Sequence, residues 1–157
     1  MHIRSAEPAD YGPIIAVVDE WWGGRQMRDM LPKLFFVHFR DTSFVAVEEG
    51  EAIAFLVGFC SQAYADEAYI HFVGVHPAHR RRGLGEALYD RFFEAARGRG
   101  RTLVRCVTSP VNAGSIAFHR RMGFDIEPGE PGPGGVEVAR DYDGRGGDRV
   151  LFFRRIG

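Results

Sequence analysis

One stretch constrains this chain more than any other: Val73-Gly74-Val75-His76-Pro77-Ala78-His79-Arg80-Arg81-Arg82-Gly83-Leu84-Gly85. An apolar run meets a proline, passes through a basic turn and two glycines, and opens a helix at once. The first turn of a helix carries N–H groups without an intrahelical acceptor, together with the positive end of the helix dipole. Glycine lets the main chain close on an anion with no Cβ in the way. Arg80, Arg81 and Arg82 add positive charge. The order strand, proline, basic turn, glycine, helix therefore builds a cradle for an anion such as a pyrophosphate. It lacks the Gly-Lys-Ser/Thr of a phosphate-binding P-loop and the third glycine of a dinucleotide fingerprint.

The elements around this cradle are readable by periodicity. Strands are expected at His2–Arg4, Thr42–Glu48, Glu51–Ser61, Glu67–His76, Thr102–Thr108, Phe124–Ile126 and Arg149–Arg155, with a hairpin turn at Glu49-Gly50. Apolar residues at helical spacing predict one helix over Asp10–Trp22 and another over about Arg25–Arg40, with Pro32 as a kink or restart. Leu84–Arg99 is a strongly amphipathic helix. Asn112–Met122 is a shorter one, with Asn112 suited to the N-cap and Gly123 to the left-handed position past its end. Pro128–Gly135 is too rich in glycine and proline to be regular. Strands come first in succession and alternate with helices later. The fold class is therefore α/β (α+β): one mixed sheet of about seven strands with about four helices packed on both faces.

The chain has 157 residues, which suits a single domain over 1–157. Its 20 basic and 21 acidic residues leave a net charge of -1, which gives no bulk attraction to nucleic acid or to an anionic membrane. Cys60 and Cys106 sit in apolar runs and read as buried free thiols, with no disulfide framework and no metal-spaced pair. No apolar stretch approaches the ~20 residues a bilayer span needs. A cytoplasmic, metal-free protein is the expectation.

Two motifs carry a family resemblance. Arg80-Arg81-Arg82-Gly83-Leu84-Gly85 resembles the acyl-CoA signature Gln/Arg-x-x-Gly-x-Gly/Ala of the GNAT family of N-acetyltransferases. Val73, Val75 and Pro77 fall where that family has its apolar strand and following proline. Asn112-Ala113-Gly114-Ser115-Ile116-Ala117-Phe118-His119-Arg120-Arg121-Met122-Gly123-Phe124 resembles the family's Asn…Ala…Phe-Tyr…Gly-Phe segment. The order of elements agrees over essentially the whole chain.

The resemblance implies a GNAT-type fold in which the Glu67–His76 and Thr102–Thr108 strands splay to form a cleft for acetyl-CoA. It implies that main-chain N–H groups from Arg80, Arg81, Arg82, Gly83, Leu84 and Gly85 hold the pyrophosphate. Main chain at Val73 and Val75 would pair with the pantetheine amides, Asn112 would bond the pantetheine arm, and Ser115 and Phe118 would line the cleft. It further implies direct attack of a primary amine on the thioester, with a strand N–H near Val73 stabilising the oxyanion.

His119 stands where the family often has its tyrosine acid, and reads either as a replacement acid or as a surface histidine. Glu67, Tyr69 and His71 should share one strand face, so Glu67 and His71 are both candidate bases. Asp19, Glu20, Trp21 and Trp22 border the expected acceptor side, as does the Asp141–Asp148 turn; the tryptophans read equally as core. A small-molecule amine is the expected acceptor, with neither nucleic acid nor membrane as partner. Apolar last strands would allow a homodimer. Two alternatives stay open: a catalytically silent acyl-CoA sensor, and a protein or aminoacyl-tRNA acceptor served by the Arg80–Arg82 and Arg97–Arg101 clusters.

Overall fold

A computed structural model describes residues Met1–Gly157. Seven strands form one sheet in the order β1-β2-β3-β4-β5-β9-β6: β1 (His2–Ser5), β2 (Phe44–Glu48), β3 (Glu51–Cys60), β4 (Glu67–Val75), β5 (Leu103–Thr108), β6 (Asp125–Ile126) and β9 (Val150–Arg155). Only the β4–β5 pair is parallel, so the sheet is mixed as expected. Glu49 and Gly50 both take positive φ, 51° and 78°, which matches the twist of a two-residue hairpin between β2 and β3.

Helices cover both faces. On one lies α4 (Leu84–Gly98), which buries Leu84, Leu88, Tyr89, Phe92, Phe93 and Ala96. Beside it runs α5 (Ala113–Arg121). On the other lie α1 (Pro8–Ile15), α2 (Val18–Trp21) and α3 (Leu34–His38). The core is correspondingly split. One cluster joins α4 to Leu56, Ile70, Val104 and Phe152; the second joins α1–α3 to Val45, Phe55, Val57 and Phe72.

The sequence expectations fail mainly before β2. The single helix over Asp10–Trp22 is two short ones, broken at Val17. Pro13 inside α1 has no N–H to give and crowds the preceding turn. The helix over Arg25–Arg40 reduces to α3 between 3₁₀ turns at Arg28–Met30 and Arg40–Thr42. Pro32 stops it, and the Asp19 carboxylate accepts from the N–H groups of Met27 and Arg28 at 2.7 and 2.9 Å, holding that backbone outside a regular helix. There are thus five helices rather than four. The Gly/Pro-rich segment also contributes a small two-stranded ribbon, β7 (Glu130–Pro131) with β8 (Glu137–Val138). Cys106 is buried but Cys60 only partly so.

Candidate active site

The site begins where two strands part. β4 and β5 pair at Glu67–Leu103, Ala68–Val104 and Tyr69–Arg105, and nowhere further. Beyond that rung β4 runs to Val75 beside β3 alone, while β5 runs to Thr108 beside β9 alone. The result is a gap in the middle of the sheet. The N–H of His76 donates to Ile53 O on β3 at 2.8 Å. Neighbouring residues of a strand point their N–H and C=O groups to opposite sides, so those of Val75 and Val73 face the gap.

β4 is also bulged. The register with β3 shifts between Val57 and Gly58, leaving His71 as the extra residue. Up to the bulge Tyr69 packs on Phe59 and His71 stacks on Phe35 at 5.0 Å, both on the α1–α3 face. Past it Val73 and Val75 pack on the α4 side. The simple alternation expected over Glu67–His76 therefore holds for Glu67, Tyr69 and His71 and reverses afterwards.

The cradle lies on the α4 side. Gly83 takes φ 76° and Arg81 φ 63°, so the chain coils before α4 with its amides turned to one side. No backbone N–H from Arg81 through Glu86 has a partner within the protein. A Cβ on Gly83 would meet nothing within 4 Å, whereas one on Gly85 would come within 3.4 Å of the Phe118 ring, so Gly85 is where α4 and α5 approach.

The three arginines are not equivalent. The Arg80 guanidinium donates to Val75 O at 3.2 Å and to Trp21 O, tying the loop to β4 and α2. Arg82 forms a two-pronged pair with Glu48 at 2.9 and 3.1 Å and also donates to His79 Nδ1. That pairing holds the Glu48 carboxyl below its ordinary range. Only the Arg81 side chain stands free: Arg82 is neutralised by Glu48, while Arg80 keeps its charge but is tied to two main-chain carbonyls.

On α5, Asn112 Oδ1 accepts from Ser115 N–H at 3.1 Å as the N-cap, which leaves its amide nitrogen outward. Phe118 is half-buried, edge-on to Tyr89. His119 is a correction. It is neither at the surface nor on the gap, but 6 % exposed in the core, stacked on Phe152 at 4.4 Å. Its Nδ1–H donates to Ser115 O and its Nε2 accepts from Tyr89 Oη, both at 2.8 Å. Burial lowers its pKa and keeps it neutral. With both nitrogens engaged, it is not a proton donor to the cleft.

On the opposite face a cavity of about 360 Å³ adjoins the gap, lined among others by Tyr64, Tyr69, Tyr142, Val107 and Cys106. Here Arg105 bridges two carboxylates, Glu67 at 2.7 Å and Glu127. Burial works against the Arg105 charge, but the two acids hold its pKa up. Burial raises Tyr69 and Cys106, which stay protonated. His71 donates from Nε2 to Met30 O at 2.9 Å, since a carbonyl only accepts, so Nδ1 keeps its lone pair. Burial lowers its pKa, so the ring is neutral near pH 7. The Asp143–Arg149 pair, at 2.9 Å, belongs to the turn at this face. Sequence reasoning missed Arg105 and Glu127, because only the register of β4 on β5 and the return of the tail bring them together; Tyr142, from the Asp141–Asp148 turn expected at the acceptor side, lines the same cavity. Trp21 is core, stacked on Phe55, and Trp22 stacks on Phe72. No group of His, Cys, Asp or Glu is placed to hold a metal ion, and no helix is long and apolar enough to cross a membrane.

A parallel pair that parts in mid-sheet, with unpaired amides at the start of the following helix, is the feature that sets this fold apart. The acetyltransferase (GNAT) family profile matches residues 9–124, and the chain belongs to that family. It is 35% identical over 89 residues to an uncharacterized N-acetyltransferase of Methanocaldococcus jannaschii, covering 54% of this chain and 39% of that protein. It is 33% identical over 92 residues to the L-2,4-diaminobutyric acid acetyltransferase of Nocardia farcinica, covering 56% and 48%. The chain thus spans less than half the length of these relatives. The crystal structure of Ard1 from Thermoplasma volcanium superposes with a TM-score of 0.78 at 22% identity, over 99% of this chain and 97% of that one, and shows the shared fold.

Proposed function

We propose that this chain is an acetyl-CoA-dependent N-acetyltransferase acting on a small primary amine. The observation that carries the reading is the pairing of a row of unpaired backbone N–H groups with a strand edge that no neighbouring strand covers. The N–H row from Arg81 to Glu86 lies on one side of the sheet gap, and the Val73–Val75 edge lies along it. The first suits a pyrophosphate, the second an amide-bearing arm that docks as an added strand. Acetyl-CoA supplies the acetyl group as a thioester when bound. The Arg81–Glu86 amides would hold its diphosphate, the Asn112 amide its arm, and the Val73 N–H its carbonyl oxygen, where negative charge develops during transfer.

The amine would arrive from the opposite face, through the cavity. An alkylammonium has a pKa near ~10 and must lose its proton before attack. We take His71 as the base, because its ring is neutral and its Nδ1 lone pair is unused. Glu67, the other candidate, already accepts from Arg105. A thiol has a pKa near ~8.5, so the leaving group departs without an obligate acid, which is consistent with a core histidine at 119.

The test is thermal unfolding with and without acetyl-CoA, in the wild type and in Gly83→Glu, followed by thiol release with a panel of amines. Ligand at ~100 times its Kd stabilises by about 2.7 kcal/mol, a rise of roughly 5–10 °C for a domain of this size. The substitution should abolish that rise. A folded wild type that does not respond would overturn the reading, and binding without thiol release for any amine would make the protein a sensor.

A further inference from the structure

We infer that the cavity on the α1–α3 face takes a small acceptor with a second positive charge, a short diamine in chemical class, and that Glu67 and Glu127 hold that charge. This rests on the acetyl-transfer reading for the reacting amine. The cavity lies against the last paired rung, Tyr69–Arg105, and against Val107 beyond it, so it opens on the gap from the side opposite the cradle. Its charged lining is two carboxylates and one guanidinium, which leaves one negative charge. The nearby Asp143–Arg149 pair cancels itself, and His71 is neutral. The remaining lining includes three tyrosine rings, whose faces attract an alkylammonium.

That charge is badly placed to serve the reacting nitrogen. A carboxylate beside an amine favours its protonated form, which cannot attack. Glu67 pairs two residues before the parting rung, about 7 Å back along the strand at ~3.3 Å per residue. The acid pair therefore suits a distal ammonium and leaves the nitrogen at the gap free to lose its proton. A volume of about 360 Å³ matches a small molecule rather than a folded chain end with its neighbours.

The experiment compares 1,4-diaminobutane, butylamine and 4-aminobutanoate as acceptors by thiol release, with Glu127→Gln and Arg105→Gln beside the wild type. The wild type should favour the diamine over butylamine in kcat/KM by about tenfold or more, the worth of one charge-assisted contact. Glu127→Gln should bring that ratio toward one. Arg105→Gln, which leaves the cavity more negative, should raise it. Damage to the fold would not move the two ratios in opposite directions. Calorimetric titration of the same amines into the CoA-saturated protein reads the preference without turnover, so failure of acetyl transfer and failure of this inference are distinguishable. Equal binding of diamine and butylamine overturns it. So does a preference for 4-aminobutanoate, which would make Arg105 an anion anchor.

Discussion

His119 Nε2 lies 2.8 Å from the phenolic oxygen of Tyr89, with both rings inside the core between α4, α5 and the sheet. The Nδ1–H is spent on Ser115 O, so the tautomer is fixed and the phenol must be the donor in the pair. Position 119, which invites a catalytic reading in the sequence, serves in the structure as a polar clamp between two helices.

Removing the clamp should cost stability before it costs chemistry. His119→Ala empties space under Phe152 and strands the Tyr89 hydroxyl, a loss of about 3 kcal/mol and roughly 6–12 °C in Tm. Tyr89→Phe should cost about 1 kcal/mol, and the double variant less than the sum. Additive losses in calorimetry would show that the two groups do not interact.

Stability should fall as pH drops from about 7 toward 5. His71 and His119 both have folded pKa values lowered by burial. Their contribution is complete above the unfolded value near ~6.5 and is lost as pH falls from there through the folded values, because only the unfolded chain takes up the protons. Denaturant titrations at pH 7.5 and 5.5 should differ, and His119→Gln should shrink the difference. An identical pH slope in that variant would refute the assignment.

Gly58→Ala should be far more damaging than Gly83→Ala. A Cβ at Gly58 would come within 2.6 Å of the Tyr69 carbonyl and 2.7 Å of the Phe92 ring. Overpacking of that kind costs about 2–3 kcal/mol. At Gly83 the space is open and only the positive φ is strained, about 1 kcal/mol. Tyr69 is also the last rung before the strands part, so Gly58→Ala should weaken acetyl-CoA binding from a distance. Unchanged affinity, measured by calorimetric titration, would separate the rung from the site.

Arg80→Lys keeps the charge and loses the fork that reaches Val75 O and Trp21 O together. The affinity for acetyl-CoA should drop by about three- to tenfold, through a loosened loop rather than a lost phosphate contact. The signature is a salt dependence of binding equal to that of the wild type. A reduced salt slope would mean that Arg80 meets the phosphates directly.

Much of the fold was legible because local chemistry and long-range packing agree there. The strand, proline and glycine order around Val73–Gly85 foretold β4, the cradle and α4, and Asn112 with Gly123 bounded α5. The first forty residues were not legible in this way. Their apolar spacing suits a helix, but Pro13, Pro32 and the Asp19 carboxylate break the backbone ladder, and packing on Phe55 and Phe72 decides which short pieces remain.

The sequence by itself determined the class of sheet, the glycine-bounded turn that opens α4 and the family, since each rests on residues close together in the chain. Tertiary structure alone decided the rest. A bulge at His71, invisible to a count of two, reversed the faces of β4. A hydrogen bond from Arg80 to Trp21 O and an ion pair of Arg82 with Glu48 tied both side chains to distant elements. The register of β4 on β5 brought Glu67 to Arg105, and the return of the tail added Glu127. Those contacts join residues tens of positions apart, and no local pattern encodes which distant partner a charge will meet.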